Sequence, residues 1–361
     1  MEKKIVSIVG ARPNFIKCAP LSREIRKEFD EILIHTGQHY DYEMNKVFFD
    51  ELRIPEPDYH LDVGSGSHGA QTGEMLKRIE HVLMKEKPEW VLVYGDTNST
   101  LSGALAASKL HIKVGHIESG LRSFDRSMPE EINRVLTDHC SDLLFCPTEI
   151  AVENLGDEGI CDGVYLTGDV MVDTLNYNRK IVEKSDILEK LSLKSREYLV
   201  ATIHRAGNTD NKRCLKNIVD AFCEIDETIV FPVHPRAEKF LRRYRLYDKL
   251  KKHVDITKPL GYLDFLKLMN NAKKILTDSG GVQKEAYILG VPCVTLRENT
   301  EWVETVDGGW NVLVGADNDK IVRMVNEFEP KGKQRKVFGN GDARERIVGV
   351  MKEYDQNFET T

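Results

Sequence analysis

The chain reads as an α/β protein with two parallel sheets, each covered by helices on both faces. Short β-branched runs alternate with longer amphipathic stretches along its whole length. The runs are apolar throughout rather than alternating, as in strands buried on both faces. They recur across 361 residues, which suits two domains of roughly 100–200 residues better than one.

Ile5–Val9 is the first strand, and it ends in Gly10-Ala11-Arg12-Pro13, where Pro13 suits the first turn of a helix. Ile32–His35 follows. Trp90–Tyr94 runs into Gly95-Asp96-Thr97-Asn98 and an Ala-rich helix. Val114–Ile117 and Leu143–Cys146 come next, with a helix between them that starts at Pro129. Val164–Thr167 closes on Gly168-Asp169, and a polar helical stretch, Asn176–Lys194, leads to the next apolar run at Tyr198. The boundary therefore falls in 168–196, giving domains 1–170 and 171–341, each large enough for its own core. The second domain takes Leu199–Ile203, Ile229–Val233, Ile275–Thr277, Val291–Leu296 and Val312–Val314 as strands. A C-terminal helix, 342–361, follows Gly339-Asn340-Gly341 and has either domain open to it, packing back on the first included.

Composition narrows the function. The net charge is −7, which argues against a nucleic-acid partner. No apolar run approaches the roughly 18 residues of a membrane span, and the stretch before Gly10 is too short for a signal-peptide core. A cytoplasmic protein is expected. The seven cysteines are scattered without a Cys-x-x-Cys pair, so reduced, mostly buried thiols are expected rather than disulfides or zinc knuckles.

In open parallel sheets, ligands bind beyond the carboxyl ends of the strands. After the first strand, Arg12 and Lys17 sit at or near a helix N-terminus, a good anion site. The segment is neither a G-x-G-x-x-G fingerprint nor a Walker A loop, so no nicotinamide cofactor is expected. Asp96, just past a buried strand, either caps the next helix or faces the ligand. Glu118, in His116-Ile117-Glu118-Ser119-Gly120-Leu121-Arg122, lies at a strand end where no helix begins. Glu130 and Glu131 suit a helix N-terminus electrostatically, yet could join Asp96 and Glu118 as clustered carboxylates for acid/base work. In the second half, His204-Arg205 follows a strand, and His234-Pro235-Arg236 repeats the pattern at the next. In Asp278-Ser279-Gly280-Gly281 a strand gives way to a glycine-opened helix whose free N–H groups suit a phosphate. Val282, Ala286 and Leu289 mark its buried stripe, and Glu285 flanks that stripe, placed to accept hydrogen bonds from sugar hydroxyls. The profile is that of an enzyme acting on a sugar joined to a diphosphate.

The order G-A-R-P-x-x-I-K, V-x-G-D-T, H-I-E-S-G-L-R, P-E-E-x-N-R, H-R, H-P-R, D-S-G-G-x-Q-K-E and R-x-N-T-E, from about residue 10 to 310, resembles the non-hydrolysing UDP-N-acetylglucosamine 2-epimerases. The resemblance implies a GT-B fold of two Rossmann-like, doubly wound domains with a cleft between them. It implies cofactor-free, metal-free inversion at carbon-2 of a UDP-N-acetylated hexose, through elimination of UDP and its re-addition to a 2-acetamidoglucal. It makes Asp96, Glu118 and Glu130 the acid/base candidates, with Glu130 rather than Glu131 matching the first Glu of P-E-E. His204 then stabilises the leaving diphosphate with Arg12, Ser279, Gly280 and Gly281. Lys17 is a nearby electrostatic partner, Glu285 holds the ribose, and Arg205, His234 and Arg297 complete the UDP-sugar contacts. A homodimer is implied as well. The chain departs from many bacterial members at Thr300-Glu301-Trp302, where they read T-E-R. The Trp form resembles epimerases of UDP-2,3-diacetamido-2,3-dideoxy-glucuronate. Ala206 replaces the second Arg of H-R-R-E-N, which belongs to a substrate-activation site. A GT-B glycosyltransferase would share the Ser-Gly-Gly helix and Glu285 but has no need of three carboxylates. A hydrolysing epimerase and a non-catalytic nucleotide-sugar sensor are the remaining rivals.

Overall fold

A computed structural model describes residues 3–38 and 42–359, with the side chains of 42–46 and 355–359 outside the description. Contacts divide the chain into two units. One comprises the residues up to Asn178 and those from Lys336 onward, and the other is Arg179–Arg335.

The first unit holds β1 (Lys4–Val9), β2 (Asp30–His35), β3 (Tyr59–His60), β4 (Trp90–Tyr94), β5 (Lys113–Ile117), β6 (Leu143–Cys146) and β7 (Val164–Leu166). They pair in the order β3-β2-β1-β4-β5-β6-β7, parallel throughout. The second holds β8 (Leu199–Thr202), β9 (Ile229–Pro232), β10 (Asp255–Thr257), β11 (Lys274–Thr277), β12 (Cys293–Thr295) and β13 (Asn311–Leu313). These pair as β10-β9-β8-β11-β12-β13, again parallel. Each unit therefore has the doubly wound Rossmann order. Strand order reverses between β1 and β4 in one and between β8 and β11 in the other, which is where such sheets bind ligands.

The expected apolar runs all become strands, shifted by a residue or two. Two edge strands, β3 and β10, were not expected. They are two and three residues long and carry no apolar run, so only tertiary pairing reveals them. The expected helical stretch Asn176–Lys194 is instead two helices, Val170–Val182 and Ile187–Lys190. The first starts early because Asp169 Oδ1 accepts a hydrogen bond from the Met171 amide at 2.8 Å.

Helix Lys212–Glu224 shows ordinary amphipathic logic. Asn211 Oδ1 caps it by accepting from the Arg213 and Cys214 amides, and Leu215, Ile218, Val219 and Phe222 are buried at helical spacing. Helix Pro129–His139 inverts that logic. It buries Glu131, Asn133, Arg134, Thr137 and Asp138 while Leu136 is 47% exposed, because what lies beneath it is polar. Of the seven cysteines, Cys18, Cys146 and Cys293 are buried, Cys140, Cys214 and Cys223 half-buried, and Cys161 exposed. The expectation of mostly buried thiols is thus corrected to three.

The C-terminal helix, Ala343–Glu359, completes the first unit. The Asp173 carboxylate, fully buried, accepts from the Ala343 and Arg344 amides and from Arg344 Nη1 at 2.8 Å. The rings of Trp90 and Tyr354 meet edge to face at 5.3 Å.

Candidate active site

In the first unit the functional side chains gather at the ends of β1, β4 and β5. Asn14 joins the first two ends. Its Oδ1 accepts from the Gly10 and Ala11 amides, and its Nδ2 donates to the Tyr94 carbonyl at 2.7 Å. Arg12 is the first residue of helix Arg12–Ile25, half-buried, with its guanidinium 4.9 Å from the Phe48 ring centroid. One turn on, Lys17 is buried, and its Nζ donates to Glu118 Oε1 at 2.6 Å with both side chains about equally covered. Glu118 stands at the end of β5 with φ +71°, a left-handed conformation that is uncommon for a non-glycine residue and concentrates at functional sites. Gly95 makes room for the pair. It has φ +66°, and a β-carbon there would lie 2.6 Å from Lys17 Nζ.

Asp96 follows Gly95 and is half-buried. Its Oδ2 accepts from Arg134 Nη2 at 2.5 Å, and its backbone carbonyl accepts from Asn133 Nδ2 at 3.0 Å. It does not cap the next helix. Thr97 does, with its Oγ1 accepting from the Thr100 amide. The Arg134 guanidinium, 1% exposed, also lies 3.2 Å from Glu131 Oε2. Glu131 is buried and accepts from the Ser123 amide and hydroxyl and from the Phe124 amide. It therefore pins the 119–128 loop. Glu130, beside it, is half-buried.

A second polar layer lies under these groups. His116, wholly buried, sets Nδ1 2.6 Å from Asp138 Oδ1 and Nε2 2.7 Å from the Gly95 carbonyl. Asp138 Oδ2 accepts from Arg122 Nη1 at 2.7 Å and from the Gly120 amide. Arg122 also forks onto Glu158 with two 2.7 Å hydrogen bonds. Burial alone would raise the Asp138 pKa, but the His116 and Arg122 charges outweigh it and hold the group below its ordinary 3.8.

In the second unit the site is built on the ends of β8, β9 and β11. Asp278, with no exposure, accepts from the His204 and Arg205 amides, each at 3.0 Å. The His204 ring lies 5.7 Å from that of His234, whose Nδ1 accepts from the Arg236 amide. Ser279 caps helix Gly280–Leu289, its Oγ accepting from the Val282 amide. Glu301 lies close against Gly280, so that a β-carbon there would overlap its carboxylate. Glu301 Oε2 is also 2.8 Å from Arg297, and Oε1 is 3.8 Å from Arg205. A carboxylate thus sits among cations at a helix N-terminus, showing that the locale favours negative charge. Glu285 is buried. The helix is covered nearly all round rather than along one stripe: Gln283 and Lys284 are buried too, while Leu289 is only half-buried. Lys284 Nζ lies 4.3 Å from the Trp302 ring centroid, a cation–π contact.

The structure thus brings Lys17 to Glu118, and both to the Gly95–Asp96 turn. It also brings Arg205 and Arg297 to Glu301 beside Gly280, and His204 to His234. Sequence reasoning gave no role to Asn14, His116, Asp138, Arg134 or Asp278. Arg134 and Asp278 stand inside motifs that were read for their neighbours. The signal for Asn14 and His116 is their place beside strand ends, where a buried polar residue needs a partner.

Fold and site together define a class: a GT-B-type α/β enzyme, with two cation-held carboxylates at the strand ends of one Rossmann-like unit and a helix N-terminus flanked by arginines in the other. The family model for UDP-N-acetylglucosamine 2-epimerase matches residues 23–352, and the chain belongs to that family. It is 60% identical to a UDP-N-acetylglucosamine 2-epimerase homolog of Methanococcus maripaludis, over 97% of this chain and 99% of that one. It is 48% identical to the UDP-2,3-diacetamido-2,3-dideoxy-D-glucuronate 2-epimerase of Pseudomonas aeruginosa, over 96% and 99%. The crystal structure of Methanocaldococcus jannaschii UDP-GlcNAc 2-epimerase in complex with UDP-GlcNAc and UDP superposes with a TM-score of 0.92 at 50% identity, covering 98% of this chain and all of that one.

Proposed function

We propose that this protein interconverts UDP-N-acetylglucosamine and UDP-N-acetylmannosamine, without a cofactor, by eliminating UDP and adding it back. One observation carries the reading. Two carboxylates, Asp96 on Arg134 and Glu118 on Lys17, are held by buried cations at the ends of the neighbouring strands β4 and β5.

The carbon-2 proton is not next to a carbonyl, so removing it needs a leaving group on carbon-1. In the forward step a carboxylate takes that proton, the electron pair forms the carbon-1–carbon-2 double bond, and the carbon-1–oxygen bond breaks to release UDP. In the return step the UDP oxygen re-attacks carbon-1, and an acid delivers a proton to carbon-2 from the opposite face. Base and acid on opposite faces require more than one titratable group, and Asp96, Glu118 and Glu130 supply the candidates. Negative charge builds on the departing diphosphate. His204, Arg12, Arg205, His234, Arg297 and the Ser279-Gly280-Gly281 helix start stabilise it, while Glu285 accepts from the ribose. The working form is read as a cytoplasmic homodimer whose small-molecule partner is the UDP-sugar alone.

The test is proton NMR with UDP-N-acetylglucosamine in deuterated water. Growth of the UDP-N-acetylmannosamine signal, with deuterium entering carbon-2, is expected. An unchanged spectrum sinks this substrate. Trp302 and the Pseudomonas relative favour a second reading, UDP-2,3-diacetamido-2,3-dideoxy-glucuronate, for which the same measurement on that sugar decides.

A further inference from the structure

We infer that Asp278 is the positioning residue for His204, fixing its ring so that Nδ1 faces the carboxylate and Nε2 faces away from it. This rests on the role proposed above for His204.

Asp278 directly follows β11, and His204 lies just past the end of β8, on the two sides of the switch point of their sheet. The carboxylate has no solvent exposure, a position that is costly unless hydrogen bonds replace water. Those bonds come from the loop that bears the imidazole. Asp278 Oδ1 accepts from the His204 amide at 3.0 Å, and Oδ2 accepts from the Arg205 amide at 3.0 Å and from Asn208 Nδ2 at 3.0 Å. Asn208 Nδ2 also donates to the Leu296 carbonyl at 2.9 Å, tying the loop to the end of β12. The same carboxylate reaches the ring, with Oδ1 3.4 Å from His204 Nδ1.

An anchor for the loop alone would need only the amide contacts. The further approach to Nδ1 sets the direction of the ring. A carboxylate at one ring nitrogen draws a proton to it and presents the other nitrogen outward. His204 also meets the His234 ring, 5.7 Å away and tilted by 40°. The arrangement is that of an orienting carboxylate behind a working imidazole, here serving a leaving group rather than a nucleophile.

The test is a double-mutant cycle on the full chain, read by initial rates with UDP-N-acetylglucosamine. Asp278→Asn keeps an oxygen for the backbone amides and removes the charge. It is expected to lower kcat on the order of 10²-fold, the scale of a misplaced group, with KM little changed. In a His204→Ala background the same change is expected to add almost nothing, because it acts through a ring no longer present. Equal losses in both backgrounds, or no loss in the first, overturn the inference. Full turnover by His204→Ala alone overturns instead the role given to His204. Should Asp278→Asn fail to fold, or the wild type fail to turn over this sugar, 15N NMR of the wild-type histidines decides. A proton on His204 Nδ1 is expected, and a bare Nδ1 with the proton on Nε2 overturns the inference.

Discussion

Glu130 and Glu131 are adjacent, chemically identical, and fitted for different work. Glu131 holds two backbone amides, one hydroxyl and the Arg134 guanidinium. Removing it leaves buried donors unpaired. Glu131→Ala is therefore expected to cost about 3–5 kcal/mol of stability, as for one member of a buried charge pair, seen as a lower urea midpoint. Glu130→Gln is expected to leave the midpoint almost unchanged and to reduce turnover by about 10²-fold or more, the lower reach of a lost acid or base. A reversal of the two phenotypes would show that the first Glu of the pair is structural. The motif alone favoured Glu130, but the reason Glu131 is unavailable was not legible. It depends on Ser123, eight residues earlier, in a loop that folds back to the helix. Asp96 and Glu118 were legible because each follows a buried run, whereas Arg134 was not, since a helical arginine is ordinarily a solvated one.

At the scale of elements, helix Pro129–His139 is the least readable part of the chain. Its apolar residues do not mark its buried face, because its partners are Asp96, Arg122 and His116 rather than a hydrocarbon core. Its last turn supplies Asp138, whose folded pKa lies below its ordinary value. Glu158 is likewise lowered, chiefly by its hydrogen bonds to Arg122, against the opposing effect of burial. A carboxylate depressed in the folded state contributes stability above its unfolded pKa and loses it as pH falls through the folded one. The wild type is expected to weaken steeply below its ordinary carboxylate range. Asp138→Asn is expected to be less stable near neutrality but to show a shallower acid limb in urea titrations carried from neutral pH to below the ordinary carboxylate value of 3.8. An acid limb as steep as the wild type's would mean that other carboxylates govern it. Helix Lys212–Glu224 is the contrasting case. Its Asn211 cap and its apolar spacing are the ordinary signals of an amphipathic helix, and it packs on aliphatic strands.

For the whole molecule, alternation of apolar runs sufficed for two parallel sheets, but not for the short edges β3 and β10. Nor did it decide where the last helix goes. That answer lies in long-range contacts such as Asp173 with Arg344, separated by 171 positions, and Trp90 with Tyr354, and no local pattern records them. Removing 342–361 strips Asp173 of these donors and takes the buried Ala343, Ile347, Val348 and Met351 out of the first unit. Hydrogen exchange is expected to rise across Arg12–Ile25 and Val170–Val182 in the truncated chain while β8–β13 stay protected. A uniform rise across both units would mean that the loss is not confined to the unit the helix belongs to.

The return of the C-terminal segment also has a consequence for biosynthesis. The first unit is opened by β1 and closed only by Ala343–Glu359, and Arg179–Arg335 is an insertion within it. Synthesis proceeds from the N-terminus at about 5–20 residues per second. By the time the closing helix clears the ribosome, every strand of the inserted unit has already emerged. The unit that is begun first is therefore completed last. Until that helix emerges, the face of Arg12–Ile25 that it contacts stands open, and a nascent chain stalled just short of Ala343 is a natural client for a chaperone.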